Sequence, residues 1–322
     1  MTQMKFFENA RVGKNHWLLY VAMLIVGYIV AQIPATIYIV ALIADKMATG
    51  DRQAMREMFG DGNMDAFFDT IPGFIALMLT FLAWMGGTWG FFKLFHHRER
   101  MTLISGEKKF RKKNFFWGMG AFTIAYGLFN LVSFPLWFSV IDYNFQFDGG
   151  RYFALVAIAV LFLPFQTGCE ELIFRGYLMQ GFALCTKSKV WALVITSVVF
   201  GLMHCYNGPV EEYGFFAAVP VYIFIGFGLG LFAILSDGIE LSWGIHYATN
   251  LIAFTLIGSK SEGAVNLRPL IQGDEPVWVM YILEIVVFTM MFLLLRKKMG
   301  WDIKKAFDNS GLRKDVPPPY CG

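Results

Sequence analysis

Long apolar runs alternate with short polar stretches along most of the chain. A helix that spans a membrane needs roughly 20 mostly apolar residues. Eight runs approach or exceed that length, near residues 17–44, 71–95, 115–140, 152–184, 190–206, 215–235, 239–258 and 277–296. The pattern predicts an all-α protein, a polytopic membrane bundle with about eight transmembrane helices. The first and fourth runs are over-long, and Pro164 and Gly168 are plausible break points in the fourth.

The composition supports a membrane protein over a soluble one. Of the 322 residues, 57% are hydrophobic and 16% are charged, whereas a soluble domain usually has about 25% charged residues. So many apolar side chains cannot all be hidden in a water-soluble core. We therefore expect membrane lipid to surround much of the chain.

The basic residues are distributed unevenly between the loops. If both termini are cytoplasmic, the cytoplasmic segments carry 20 Lys and Arg residues and the opposite side carries 6. The positive-inside rule favours this orientation. The basic loop 96–113 is expected to lie beside anionic lipid headgroups, so nucleic acid is not an expected partner.

The runs predict three regions within one integral membrane domain. Residues 1–150 form an N-terminal three-span region, in which the acidic stretch 44–70 is external and could include an amphipathic helix. Residues 151–258 form a core that contains the polar motifs. Residues 259–322 add the last span and a basic cytoplasmic tail.

Three charges interrupt the fourth apolar run, in the stretch CEELIFRGYL. Ionisable groups inside a span are costly and are candidates for a functional site. Glu171 and Arg175 are four residues apart, so they share a helix face and are predicted to form a salt bridge that fixes the helix. Glu170 lies about 100° around the helix from Glu171 and has no such partner.

Two later segments offer polar partners for Glu170. The stretch FGLMH ends the fifth run with His204, one turn after Phe200. The stretch HYATN in the seventh run places His246 and Asn250 four residues apart on one face. In lipid such groups must find polar partners, and the nearest ones are each other. We therefore predict that the three helices converge around a small wet cavity.

These side-chain types suit hydrolysis of an acyl bond. A buried carboxylate can act as a general base toward water. A neighbouring histidine can hold that water or pass its proton to a leaving amine. A second histidine and an asparagine amide can donate to an oxyanion. No serine or cysteine has a matching base, so direct attack by water is the simpler chemistry.

In this order, the three stretches resemble the motifs of the CAAX-protease and bacteriocin-processing family. Its motifs are E-E-x-x-x-R, F-x-x-x-H and H-x-x-x-N/D, matched here by Glu170, Glu171, Arg175, Phe200, His204, His246 and Asn250. The match covers roughly residues 150–258. The resemblance implies an intramembrane endopeptidase related to the type II prenyl-protein protease, in a bacterial plasma (inner) membrane. The implied substrate is an apolar or lipidated peptide or protein.

The resemblance also implies roles for the individual residues. Glu170 with His204 would activate water, and His246 with Asn250 would hold the oxyanion. The orienting residues would be Glu171, Arg175 and Phe200.

Three alternatives remain open. Zinc could be bound by Glu170, His204 and His246, although the favoured mechanism uses no metal or other cofactor. A proton-coupled transporter also uses buried Glu and His residues, but such proteins commonly have repeated halves, and no repeat is visible here. A non-enzymatic immunity or assembly protein could have the same fold and use none of these residues for catalysis.

Overall fold

The computed structural model describes residues 5–51, 70–137, 141, 143–145, 147–258, 269–273 and 275–313. The helices of 14 or more residues are α1 (Trp17–Thr49), α2 (Ile71–His96), α3 (Lys112–Trp137), α4 (Gly149–Glu171), α6 (Lys189–Leu202), α8 (Phe215–Leu235), α9 (Glu240–Thr255) and α10 (Val277–Met299). The shorter helices are α5 (Met179–Thr186), α7 (Gly208–Tyr213), α11 (Ile303–Ala306) and α12 (Ser310–Arg313). Short 3₁₀ helices cover Asn9–Arg11 and Arg100–Leu103.

Each predicted apolar run coincides with a helix. The fourth run consists of α4, a π-helical segment (Leu172–Leu178) and α5, which form one continuous stretch of 38 residues. Within the described residues, six helices are long and apolar enough to cross a membrane. The two remaining runs are α6 and α9, with 14 and 16 residues. The predicted fold class, a helical membrane bundle, is confirmed, whereas the number of eight spans stays a prediction.

The irregularity in the fourth run lies beyond the predicted break points. Helix α4 continues through Pro164 and Gly168, and the hydrogen-bonding pattern changes only at Leu172. The indole of Trp243 fills the space beside Gly168 and donates to the Pro164 carbonyl at 2.8 Å. A side chain of helix α9 thus packs against α4 at both predicted break points.

The segments predicted to be cytoplasmic lie on one face of the bundle. The Asp237 carboxylate, between α8 and α9, accepts from the backbone N–H groups of Lys5 and Phe6 at 3.1 and 2.8 Å. Ser105, in the basic loop, pairs with Gly238. Burial raises the pKa of Asp237 although both N–H groups oppose that shift. The N-terminal segment is therefore fastened to the same face as the basic loop.

The C-terminal helices join this face. The Lys189 ammonium at the start of α6 donates to the Ala306 carbonyl at 2.9 Å, and its backbone N–H donates to the Asn309 side chain at 3.0 Å. The Arg11 guanidinium donates to the Gly311 carbonyl. Both described termini are thus on one side, consistent with an even number of crossings. Which side is cytoplasmic stays a prediction.

A small sheet marks the opposite face. Three two-residue strands, β1 (Asn144–Phe145), β2 (Ile257–Gly258) and β3 (Ile271–Gln272), pair in the order β1-β3-β2. Strands β1 and β3 are antiparallel, and β2 and β3 are parallel. All three come from loops predicted to be external, so the structure separates the two sets of loops as the charge distribution predicts. Most of the predicted external loop, residues 52–69, lies outside the described residues.

Glycine lets the central helix α9 approach its neighbour closely. Helix α9 packs against α3, α4 and α8. A Cβ atom at Gly244 would collide with the Phe115 carbonyl, and one at Gly118 with the Leu241 carbonyl. Small residues commonly permit such close contact between membrane helices. This packing places α9 beside the charged motif at the end of α4.

Candidate active site

The charged motif coincides with the π-helical segment. Glu170 and Glu171 are the last residues of α4, and Arg175 lies within Leu172–Leu178. π-Helical turns are rare and occur frequently at functional sites. Glu171 and Arg175 are fully buried, whereas the Glu170 side chain keeps 15% of its surface exposed. Of these three charged groups, Glu170 is the one that water can reach most readily.

Arg175 connects the motif to two other helices. Its Nη1 lies 2.8 Å from Glu171 Oε1, so the predicted salt bridge is present. Its Nη2 donates to the Gly226 carbonyl of α8 at 3.1 Å. Its guanidinium lies 4.4 Å from the ring centre of Phe200 of α6, a cation–π distance. Arg175 therefore braces Glu171 and also contacts α6 and α8.

His246 lies between the two glutamates. Its Nδ1 is 2.9 Å from Oε1 of Glu171, the same oxygen that pairs with Arg175. Its Nε2 is 3.6 Å from Oε2 of Glu170. This second distance is longer than a direct hydrogen bond. Glu171 therefore orients His246 as well as pairing with Arg175.

A chain of amides joins Glu170 to Asn250. The Gln166 side-chain amide, one turn before Glu170 on α4, donates from Nε2 to Oε1 of Glu170. The Gln166 Oε1 in turn accepts from Nδ2 of Asn250 at 2.9 Å. Glu170, His246 and Asn250 are therefore parts of one polar network between α4 and α9.

His204 is held by two aromatic rings beside this network. It follows α6, and its Nδ1 donates to the Phe200 carbonyl at 2.7 Å. The imidazole lies 4.4 Å from the Phe200 ring and stacks on Tyr222 of α8 at 4.8 Å between ring centres. It interacts electrostatically with Glu170 and His246. Because Nδ1 is hydrogen-bonded to the backbone, Nε2 is the ring nitrogen that can bind water or transfer a proton.

Two residues of this arrangement were not singled out from the sequence. Gln166 carries a usable signal, because it is a polar residue four positions before Glu170 inside an apolar run. Tyr222 carries no such signal, since an aromatic residue in an apolar helix is most often part of the packing. Its position against His204 depends on how α6 and α8 are packed.

The zinc alternative requires Glu170, His204 and His246 to surround one point. No group of three or more His, Cys, Asp or Glu side chains in the described part of the chain is arranged to hold a metal ion. Nδ1 of His246 is hydrogen-bonded to Glu171 and Nδ1 of His204 to a backbone carbonyl, which leaves Nε2 as the free nitrogen of each ring. The zinc alternative stays a prediction, and no catalytic step is routed through a metal.

Comparison with known proteins identifies the class of the motif-bearing region. Residues 149–252 match the family model described as type II CAAX prenyl endopeptidase Rce1-like, and this range contains all seven motif residues. The resemblance expected from the motifs is therefore confirmed. Together with its apolar helices, this makes the chain an integral, multi-pass membrane protein.

One particular relative is the uncharacterized protein YyaK of Bacillus subtilis (strain 168). It is 29% identical over 198 residues, which cover 60% of this chain and 64% of YyaK. The match thus spans less than two thirds of the length of that relative. No solved structure matches the chain.

Proposed function

We propose that the protein is an intramembrane endopeptidase that hydrolyses a peptide bond with water activated by Glu170 and His204. The observation that carries this proposal is Oε2 of Glu170, which has no hydrogen-bond partner among the described residues and lies 3.6 Å from Nε2 of His246. A carboxylate oxygen that is desolvated and unpaired is suited to accept a proton from a bound water. The Rce1-like match supports a peptidase of the CAAX type.

The reaction proceeds by direct attack of water. Glu170 takes a proton from the water as the water oxygen bonds to the substrate carbonyl carbon. The carbonyl oxygen becomes an oxyanion, to which Asn250 and His246 donate. When the C–N bond breaks, the proton passes from Glu170 or through His204 to the leaving amine. A product acid and a product amine are released, and Glu170 is again ionised.

For His246 to donate a hydrogen bond to the oxyanion, its Nε2 must carry a proton and the charge of the ring must be balanced. Donation from Nε2, while Nδ1 also donates to Glu171, requires a doubly protonated ring. The two carboxylates at 2.9 and 3.6 Å compensate that positive charge. Glu171, Arg175 and Phe200 orient the ring and its helix and take no part in proton transfer.

The surroundings favour an apolar or lipidated substrate segment. The site lies between helices of a membrane bundle. Exposed apolar and aromatic side chains lie between His204 and the start of α8. Tyr206 has 88% of its surface exposed and Phe216 has 91%. A bacterial plasma membrane is the proposed location, as the motif resemblance implies.

The test of this function is a comparison of membrane peptides. A strain that lacks the protein is complemented with the wild type or with Glu170→Ala, and membrane-associated peptides are identified by mass spectrometry. We expect new peptide ends that appear only with the wild type. Identical peptides in both strains would contradict the proposal and would favour an idle site or a transporter.

Chelation separates the metal-free mechanism from the zinc alternative. We expect the cleavage rate of the purified protein to be unchanged after treatment with a strong zinc chelator, because the proposed mechanism activates water with the Glu170 carboxylate and needs no metal. Metal content is measured on the same sample. Activity that is lost to the chelator and restored by zinc would overturn the metal-free mechanism.

A further inference from the structure

Gln166 contacts two proposed site residues and has a fixed orientation between them. It is buried, with 7% of its surface exposed, on the α4 turn before Glu170. An ionised carboxylate can only accept hydrogen bonds, so the amide nitrogen of Gln166 must face Glu170. The amide oxygen then faces Asn250, whose Nδ2 donates to it at 2.9 Å. No other orientation satisfies both neighbours.

This contact makes the two oxygens of Glu170 unequal. Oε1 is occupied by the amide of Gln166. Oε2 has no hydrogen-bond partner within the described chain and faces Nε2 of His246. We infer that Gln166 is a positioning residue that holds Oε1 and leaves Oε2 as the oxygen that receives the proton of water. The inference rests on the proposed hydrolytic function and assigns the proton-accepting atom within it.

The same amide fixes the distance between base and oxyanion donor. Asn250 has a second N–H on Nδ2, which remains for the oxyanion after the first is given to Gln166. Because Gln166 binds both Glu170 and Asn250, it links the base on α4 to the oxyanion donor on α9. The amide gains and loses no proton during the reaction, since the proton moves from water to Oε2 and then to the leaving amine.

A buried glutamine elsewhere in the chain shows what a purely structural role looks like. Gln180 of α5 accepts from Arg98 and donates to the Thr102 carbonyl, and neither partner belongs to the proposed site. Gln166 differs because each of its side-chain hydrogen bonds ends on a proposed site residue. A substitution of Gln166 should therefore change the cleavage reaction itself, which can be measured.

The test compares Gln166→Leu and Gln166→Glu with the wild type and with Thr167→Val. Thr167 is a matched control, because it is buried on the same helix and its hydroxyl donates only to its own helix, at the Leu163 carbonyl. The cleavage rate is measured against pH for each purified, folded protein. The native charged and titratable groups around Glu170 (Cys169, Glu171, Arg175, His204 and His246) are unchanged in all four proteins, and only Gln166→Glu adds a further carboxyl group.

We expect Gln166→Leu to lower kcat by about 10- to 100-fold, because a loosened base is misplaced. Loss of the hydrogen bond also disfavours the ionised carboxylate, so a higher pH is needed to ionise it. The acidic limb of the profile should therefore move to higher pH by about one unit. Gln166→Glu adds a like charge and should move the limb further, whereas Thr167→Val should leave it in place. An unchanged limb in Gln166→Leu would overturn the inference.

Infrared titration gives a readout that does not depend on activity. The carboxylate band of Glu170 is identified by its loss in Glu170→Gln, and its titration is followed in wild type and in Gln166→Leu. We expect the band to titrate at higher pH in Gln166→Leu. Coincident titrations would reject the role of Gln166, whatever the rates. If the band shifts but Glu170→Gln cleaves as fast as wild type, the proposed hydrolysis fails, and with it the assignment of Oε2 as the proton acceptor.

Discussion

Purified protein with Glu170→Gln should cleave the peptide found in the membrane comparison about 10²- to 10⁴-fold more slowly than wild type. The substitution keeps the size and shape of the side chain and removes the group that accepts the proton of water. The amide nitrogen or oxygen of the new residue can still meet Gln166, so the fold should persist. Initial rates in liposomes, at equal amounts of folded protein, measure the effect.

The matched control for this loss is Glu212→Gln. Glu212 is an exposed carboxylate on α7, a few residues after His204. We expect its amide variant to retain the wild-type rate, since it is outside the polar network. Equal slowing by both substitutions would point to a general effect of charge at the membrane surface. A wild-type rate in Glu170→Gln would show that another group activates water.

Arg175→Met should destabilise the protein by about 3–5 kcal/mol, because it removes the arginine partner of the fully buried Glu171 carboxylate. The substitution also removes the hydrogen bond to the Gly226 carbonyl of α8. Unfolding in detergent with increasing denaturant measures the change. The double variant Glu171→Gln with Arg175→Met should recover part of the loss, because the buried carboxylate that lost its arginine partner is also removed.

An exposed ion pair provides the control for Arg175→Met. Lys109 and Glu107 are 2.9 Å apart, with 71% and 45% of their side-chain surfaces exposed. Lys109→Met should change stability by about 0–1 kcal/mol, because water screens the pair. If Arg175→Met had an equally small effect, the buried pair would not be a brace. A double variant no more stable than Arg175→Met would locate the loss in the contacts of Arg175 with Gly226 and Phe200.

Local sequence patterns determined much of the fold. Each of the eight apolar runs is helical, because lipid requires every backbone group to be satisfied within its segment. The Glu171–Arg175 pair was also predictable, since residues four apart on a helix are neighbours whatever surrounds them. The grouping of the N-terminal, 93–113 and C-terminal segments on one face agrees with the predicted order of spans, as the contacts of Asp237 and Lys189 illustrate, whereas the cytoplasmic side stays a prediction.

The motifs also indicated which residues belong together. Three polar groups in three apolar runs can satisfy one another only by converging. The structure places His246 and Asn250 in one network with Glu170 and brings His204 within electrostatic range. Their catalytic roles stay predictions until the variants are measured.

Local sequence patterns were thus sufficient for the helices, their apolar character and the residues that need polar partners. The pairings depend on the packing of the helices: His246 binds Glu171 and faces Glu170, Gln166 joins Glu170 to Asn250, and Tyr222 stacks on His204. The two kinds of contact differ in their separation along the chain. Helix formation and contacts between residues four apart depend on neighbours in sequence, whereas these pairings depend on how far each helix is rotated and shifted against the next. That rotation is set by packing such as Gly244 against the Phe115 carbonyl, which no single segment encodes.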